Sequence, residues 1–174
     1  SQKLQANHNK EIYHTMSQTH GMSLLLPKDF FLAYGDQNVT WARKETPKIS
    51  QGILMAELDP DIKKIDFGTF RGLIDSITTQ HIFGPKKNSY MITEKEAPIK
   101  IDTIMVNGQI ALRAQSLWRM ENDFMGGIYS AYFFNNDKTK GAPKVIYTYL
   151  YAPGEKKRVF LLQLESIIYT LLYN

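Results

Sequence analysis

Trp118, Arg119, Asn122 and Asp123 stand close together in the run Leu117-Trp118-Arg119-Met120-Glu121-Asn122-Asp123-Phe124-Met125-Gly126-Gly127. An indole offers a flat surface for stacking, and a guanidinium offers paired donors for a carboxylate or phosphate. Asn122 with Asp123 adds a hydrogen-bonding edge, and Gly126-Gly127 lets a ligand or partner backbone approach closely. The same letters also describe a connection between two strands, which is the preferred reading. In it Trp118 ends a strand in the core, Asn122-Asp123 makes the turn, and Gly126-Gly127 forms a bulge that restarts pairing. Trp41 and Arg43, alternate positions on one strand, read likewise as a packing indole and an outward cation. A second candidate is Lys156-Lys157-Arg158, at the start of the final predicted helix. Cations there oppose the helix dipole, a placement that suits an anion held by free helix amides; Glu155 beside them offsets part of the charge.

Other chemistry finds little support. His8, His14 and His20 are six residues apart, which turns successive side chains by about 240° around a helix rather than onto one face. His81 stands alone, so no metal site is assigned. No Gly-x-Ser-x-Gly elbow is present, and Ser50 lies within a strand-like run. Gly126-Gly127 lacks the companions of a phosphate loop. The acidic pairs Glu121 with Asp123 and Glu94 with Glu96 lie in polar runs, where carboxylates are solvated. The absence of cysteine removes disulfides, thiolate nucleophiles and cysteine-ligated metals. No catalytic residue and no cofactor is assigned, and an enzyme is the less favoured class. The net charge of +4 raises nucleic acid as a partner. The basic residues, however, are scattered in short runs (Lys63-Lys64, Lys86-Lys87, Lys156-Lys157-Arg158) among acids rather than gathered in a stripe.

These residues need elements to hold them. At 174 residues with 43% hydrophobic side chains, the chain suits one domain with a sizeable core. Ten Tyr and nine Phe favour half-buried strands. A helix is expected over 3–19, with Leu4, Ile12 and Met16 as its apolar positions and Gly21 as its stop. Strands follow at Met22–Leu26, Val39–Lys44 and Ser50–Leu58. A helix capped by Asp66 presents Phe67, Phe70, Ile74 and Ile77 on one face. The tripeptide Asp66-Phe67-Gly68 also occurs in kinases, but without the rest of that set it reads as a helix start.

Asn107-Gly108 predicts a two-residue hairpin. Its apolar set pairs Val106 with Gln109, Met105 with Ile110, Thr103 with Leu112 and Ile101 with Ala114. Its solvent set pairs Asp102 with Arg113 and Lys100 with Gln115. Strands at Ile128–Phe134 and Val145–Tyr151 flank a polar loop at 135–143. A final helix runs from Glu155 to Leu172, with Phe160, Leu164, Ile167 and Leu171 inward, widened by Leu161, Ile168 and Leu172. The order helix, three strands, helix, four strands, helix gives a single α+β domain over 1–174, with helices packed on an antiparallel sheet. This order is similar to the PsbP/Mog1-like topology, a likeness of fold alone.

Three sets of residues resemble one family. They are Leu117–Gly127; Tyr151-Ala152-Pro153-Gly154-Glu155-Lys156-Lys157-Arg158 with Gln163-Leu164-Glu165-Ser166-Ile167-Ile168-Tyr169-Thr170-Leu171; and Trp41-Ala42-Arg43-Lys44-Glu45-Thr46 with Ile49-Ser50-Gln51-Gly52-Ile53. Keeping the family's order along the chain, over roughly residues 10–174, they resemble the domain-of-unknown-function family 4837 of cell-envelope proteins, largely lipoproteins, from Bacteroidetes-type bacteria. The resemblance implies a processed or truncated part of a longer lipoprotein, anchored to the membrane only by an upstream lipid. It implies an envelope location and an unidentified envelope protein or ligand as partner, but no reaction. The expected role is therefore non-enzymatic binding or structure. The alternative is a hydrolase or small-ligand-binding protein centred on Arg119, Asn122 and Asp123.

Overall fold

The computed structural model describes residues 7–62, 65–66, 68–134 and 142–174. Leu4, Lys63-Lys64, Phe67 and most of the 135–143 loop, all named in the sequence readings, lie outside the described residues.

Helix α1 spans Lys10–His20. Asn9 starts it by accepting the Ile12 amide at 3.0 Å, and Gly21, at φ 69°, ends it. This start is later than the sequence suggested: the Asn9 amide donates to Leu26 O, and His8 bridges to Pro27, so residues 8–9 run extended. Ile12, Met16 and His20, four apart, form the buried face. The strand expected over Met22–Leu26 pairs only at β1, Met22–Ser23, which meets a late strand at Leu172–Tyr173. Leu24 and Leu26 are buried in the core without a strand partner.

The main sheet is antiparallel throughout and holds eight strands. These are β2 Phe31–Gly35, β3 Val39–Glu45, β4 Ser50–Glu57, β5 Tyr90–Thr93, β6 Lys100–Val106, β7 Gln109–Glu121, β8 Gly126–Phe134 and β9 Lys144–Tyr151. Their spatial order is β2-β3-β4-β9-β8-β7-β5, with β6 also paired to β7. The expected three-then-four strand count therefore becomes four then five, followed by β10 at Leu172–Tyr173. The added strands β2, β5 and β10 are short, and two of them lie at the margins of the main sheet. In such places a few backbone bonds decide the state without a long alternating pattern.

Period-two burial gives the sheet two apolar faces. Ile53 and Met55 of β4 join Ile12 and Met16 of α1 and the last helix on one side. Leu54 and Ala56 join the middle helix on the other. That middle helix, α2, spans Phe70–His81 and begins after Thr69 rather than after Asp66. The Asp66 carboxylate accepts the Gly68 amide, and Asp66 O accepts both the amide and hydroxyl of Thr69. Asp66 thus makes a turn before the helix instead of capping it. Arg71 donates to Thr93, Glu94 O and Ala97 O, and Asp75 accepts the Thr93 amide, locking α2 to the end of β5.

The last helix, α3, covers Arg158–Ile168. It stops four residues before the expected end because Thr170 turns the chain: its amide and hydroxyl donate to Ile167 O, while its oxygen accepts the Leu25 amide.

The Asn107-Gly108 hairpin has the predicted register at every pair from Lys100↔Gln115 to Val106↔Gln109. Asn107 at φ 46° and Gly108 at φ 81° supply the two positive angles that a type I′ turn needs. Its faces, however, are exchanged near the tip. Val106 and Ala111 are buried on the side of Asp102 and Arg113, whereas Met105 and Ile110 are 58% and 57% exposed. The cause is α3: Arg113 binds Asp102 through two bonds of 3.0 and 2.9 Å and also reaches Glu165 of that helix at 3.5 Å.

A buried polar network ties three strands to α1. His20 bonds Thr40 at 3.0 Å and Glu57 at 3.2 Å, and Lys144 binds Glu57 at 2.7 Å. Burial pushes the Glu57 carboxyl upward, but the bonds from His20 and Lys144 outweigh it and leave the group below its ordinary range.

Candidate functional site

The run 117–127 folds as the end of β7, a turn and the start of β8. Trp118 is 2% exposed, and its indole N–H donates to Leu150 O at 3.2 Å. Asn122 sits at φ 63°, which bends the chain here. Its side chain donates to Asn88 O at 2.8 Å. The Asp123 carboxylate accepts the Phe124 amide and pairs with Lys86 at 3.4 Å. The expected bulge is absent: Gly126 and Gly127 pair in unbroken register with Arg119 and Trp118. The glycines serve packing instead. A Cβ on Gly127 would lie 2.0 Å from Leu150 O and 2.8 Å from the Trp118 indole nitrogen.

Several sequence candidates surround one open depression of about 720 Å³, namely Trp118, Arg119, Asp123, Gly126, Gly127 and Lys157. Asn122, Lys156 and Arg158 are not part of its lining. The charges in it are already committed. Arg119 binds Glu121 at 2.6 Å and lies 4.0 Å from Glu94, Asp123 holds Lys86, and Lys157 donates to Ala152 O and Glu155 O. Lys157 therefore spends its ammonium on the carbonyls of its own loop before α3.

A second cleft, about 560 Å³, opens on the α2 side of the sheet beyond the end of that helix. Its floor is built by rings from three strands. Tyr149 of β9 lies across Gly52 of β4, where an added Cβ would fall 2.0 Å from the Tyr149 ring. Trp41 donates its indole N–H to the Tyr149 hydroxyl at 3.1 Å. Trp118 meets Tyr149 and Tyr151, each with ring centres 6.1 Å apart. Met91, Met120 and Met125 form an adaptable apolar wall, and the segment Ile82–Pro85 closes one side. Burial raises the phenols under this floor: Tyr129 is pushed up to about 12, and Tyr147 and Tyr149 also rise.

Arg43 stands at the mouth. Its guanidinium lies 5.3 Å from the Phe31 ring centre and 5.1 Å from that of Trp41. Glu45 approaches its Nε at 3.6 Å, beyond hydrogen-bonding distance, while the other Glu45 oxygen accepts the Ser50 hydroxyl. Among the described residues, no hydrogen-bond acceptor meets either terminal nitrogen of Arg43. Sequence reasoning named Trp41 as a packing indole and Arg43 as an outward cation, and gave neither a binding role. The Trp-x-Arg-x-Glu alternation on β3 was the available signal; what it lacked was knowledge that β9 lies two strands away.

Among the described residues, no three His, Asp or Glu side chains gather to hold a metal ion, and no helix is long and apolar enough to cross a membrane. A family model described as a domain of unknown function (DUF4837) matches residues 9–170. No curated protein matches the chain.

Proposed function

The chain belongs to the DUF4837 family of domains of unknown function, and on that footing we propose that it is a non-catalytic binding domain of the cell envelope, engaging an envelope protein or ligand through the aromatic cleft. The observation that carries this reading is the guanidinium of Arg43, whose terminal nitrogens meet no acceptor among the described residues, at the mouth of a cleft walled by Trp41, Trp118, Tyr151 and the methionines, with Glu45 and Ser50 on the same rim. Ligand sites combine such apolar walls with a few orienting polar groups, and this volume lies within their range of about 300–1,000 Å³. The envelope location rests on the family resemblance, with attachment through a lipid upstream of this domain. The competing reading, a hydrolase or small-ligand site at Arg119, Asn122 and Asp123, draws on the depression that Arg119 and Asp123 share. It is weakened because each of these side chains is held by a different partner. The PsbP/Mog1-like likeness adds no function to either reading.

The test uses the full-length protein purified from detergent-solubilised envelope and examined by native mass spectrometry. Met125→Trp fills the cleft and Phe83→Glu charges its rim. A non-covalent companion present in the parent and lost in both variants, with melting temperatures unchanged, is the expected result. Companions retained equally by both variants, or full-length protein found in the cytoplasmic fraction, would overturn the reading.

A further inference from the structure

The cleft at Arg43 differs from the neighbouring depression in one respect that bears on what it holds. Every charged side chain in the depression has a partner, whereas the terminal nitrogens of Arg43 have none among the described residues. Glu45 occupies the Nε side, and its carboxylate is in turn held by Ser50. The fork formed by the two terminal nitrogens therefore remains open, the geometry that receives a carboxylate through two parallel bonds. The rings of Phe31 and Trp41 lie 5.3 and 5.1 Å from the guanidinium and restrict its side chain, so less freedom is lost on binding. Behind the fork the walls are thioethers and aromatic edges, which suit a flexible hydrocarbon better than a polar ring.

We propose that the cleft binds a long-chain fatty acid or an equivalent apolar carboxylate, with its carboxylate on Arg43 and its chain lying along Tyr151, Met125 and Phe83 over the buried Trp118, Met91 and Met120. This identification rests on the binding role proposed above and narrows it to a ligand class. The complement is one of charge as well as shape. Arg43 is the one cation of the lining, and the lining's carboxylate, Glu45, faces its Nε and is held by the Ser50 hydroxyl, which leaves the terminal nitrogens to a ligand.

The two tryptophans of the chain, Trp41 and Trp118, both line this cleft, so intrinsic fluorescence reads its occupancy directly. The experiment titrates the protein with dibromostearate, whose bromines quench indoles on contact, below its micelle concentration and in parallel with the uncharged dibromostearyl alcohol. Saturable one-to-one quenching by the acid is expected. Arg43→Gln should weaken acid binding by about tenfold or more, the loss of one charge-assisted pair, and leave the alcohol unaffected. Arg43→Lys should recover part of the loss. Both substitutions lie at a half-exposed position, and unchanged melting temperatures certify the fold. Quenching that Arg43→Gln leaves unaltered, or an absence of saturable quenching by the parent, would overturn the fatty-acid assignment. Either outcome leaves the broader binding role to the Met125→Trp and Phe83→Glu comparison, which does not depend on the ligand's class.

Discussion

The indole of Trp118 fits against Gly127 so closely that a single added carbon would lie 2.8 Å from its nitrogen, while that nitrogen donates to Leu150 O of β9, beyond β8. The indole is thus a core fitting whose position depends on a missing side chain. Trp118→Ala should destabilise the protein by about 3–5 kcal/mol, the usual cost of emptying a buried aromatic site. Arg119→Ala and Asp123→Ala, whose ion pairs are part-exposed, should each change stability by no more than about 1 kcal/mol. Urea denaturation of the three variants checks this; an unchanged midpoint for Trp118→Ala would refute it.

Gly127→Ala should be as damaging as Trp118→Ala or worse, because the closest atom is backbone, Leu150 O, and cannot swing aside. By contrast, Gly108→Ala meets no atom within 4 Å. Its cost is conformational alone, about 1–2 kcal/mol for a non-glycine residue at positive φ. Comparing the two substitutions by chemical denaturation separates steric from backbone need.

Acidification should act through Glu57. Its folded value is lowered from the ordinary 4.5, so its contribution is complete above that value and is lost as pH falls through the depressed one. Glu57→Gln should destabilise the protein by roughly 2–4 kcal/mol at neutral pH, since Lys144 and His20 lose their anion. The parent and the variant should then converge in strong acid. Stability measured by denaturant across the acid range gives the answer; a constant gap between the two curves would contradict it.

At the alkaline end the sign reverses. Tyr129 and Tyr132 are both raised to about 12 by burial, so the unfolded chain, ionising near 10, loses these protons first. Stability that is complete below pH 10 should therefore decline as pH rises toward 12. The share of tyrosinate absorbance that is lost in a Tyr129→Phe, Tyr132→Phe double variant should appear together with loss of far-ultraviolet dichroism rather than ahead of it.

What the sequence made legible is local. The Asn107-Gly108 register could be read because turn chemistry and alternation agree within a few residues of one another. The α+β class and the cores of β3, β4, β8 and β9 followed from the same period-two pattern. Which side of the hairpin is covered could not be read, because Glu165 and α3 reach Arg113 from a distant part of the chain. The glycine roles were hidden for a related reason. Gly52 looks like an ordinary strand weakness until β9 is placed beside β4 and Tyr149 lies across it. The helix start after Thr69 turned on whether the Asp66 carboxylate bonds the Gly68 amide or one farther on, a choice that residue type alone leaves open. At the site, Trp118 was correctly placed in the core, as its 2% exposure shows, but the glycine pair was mistaken for a bulge.

The two-stranded clasp of Met22–Ser23 with Leu172–Tyr173, reinforced by Asn174 donating to Ser17 and Gly21, bears on the order of synthesis. A ribosome delivers Met22 and Ser23 long before it reaches Leu172. Until then the backbone of β1 has only water to pair with, whatever the rest of the sheet has achieved. A nascent chain can therefore assemble β3 and β4 locally, but it seals α1 against the late strand only as translation passes Tyr173.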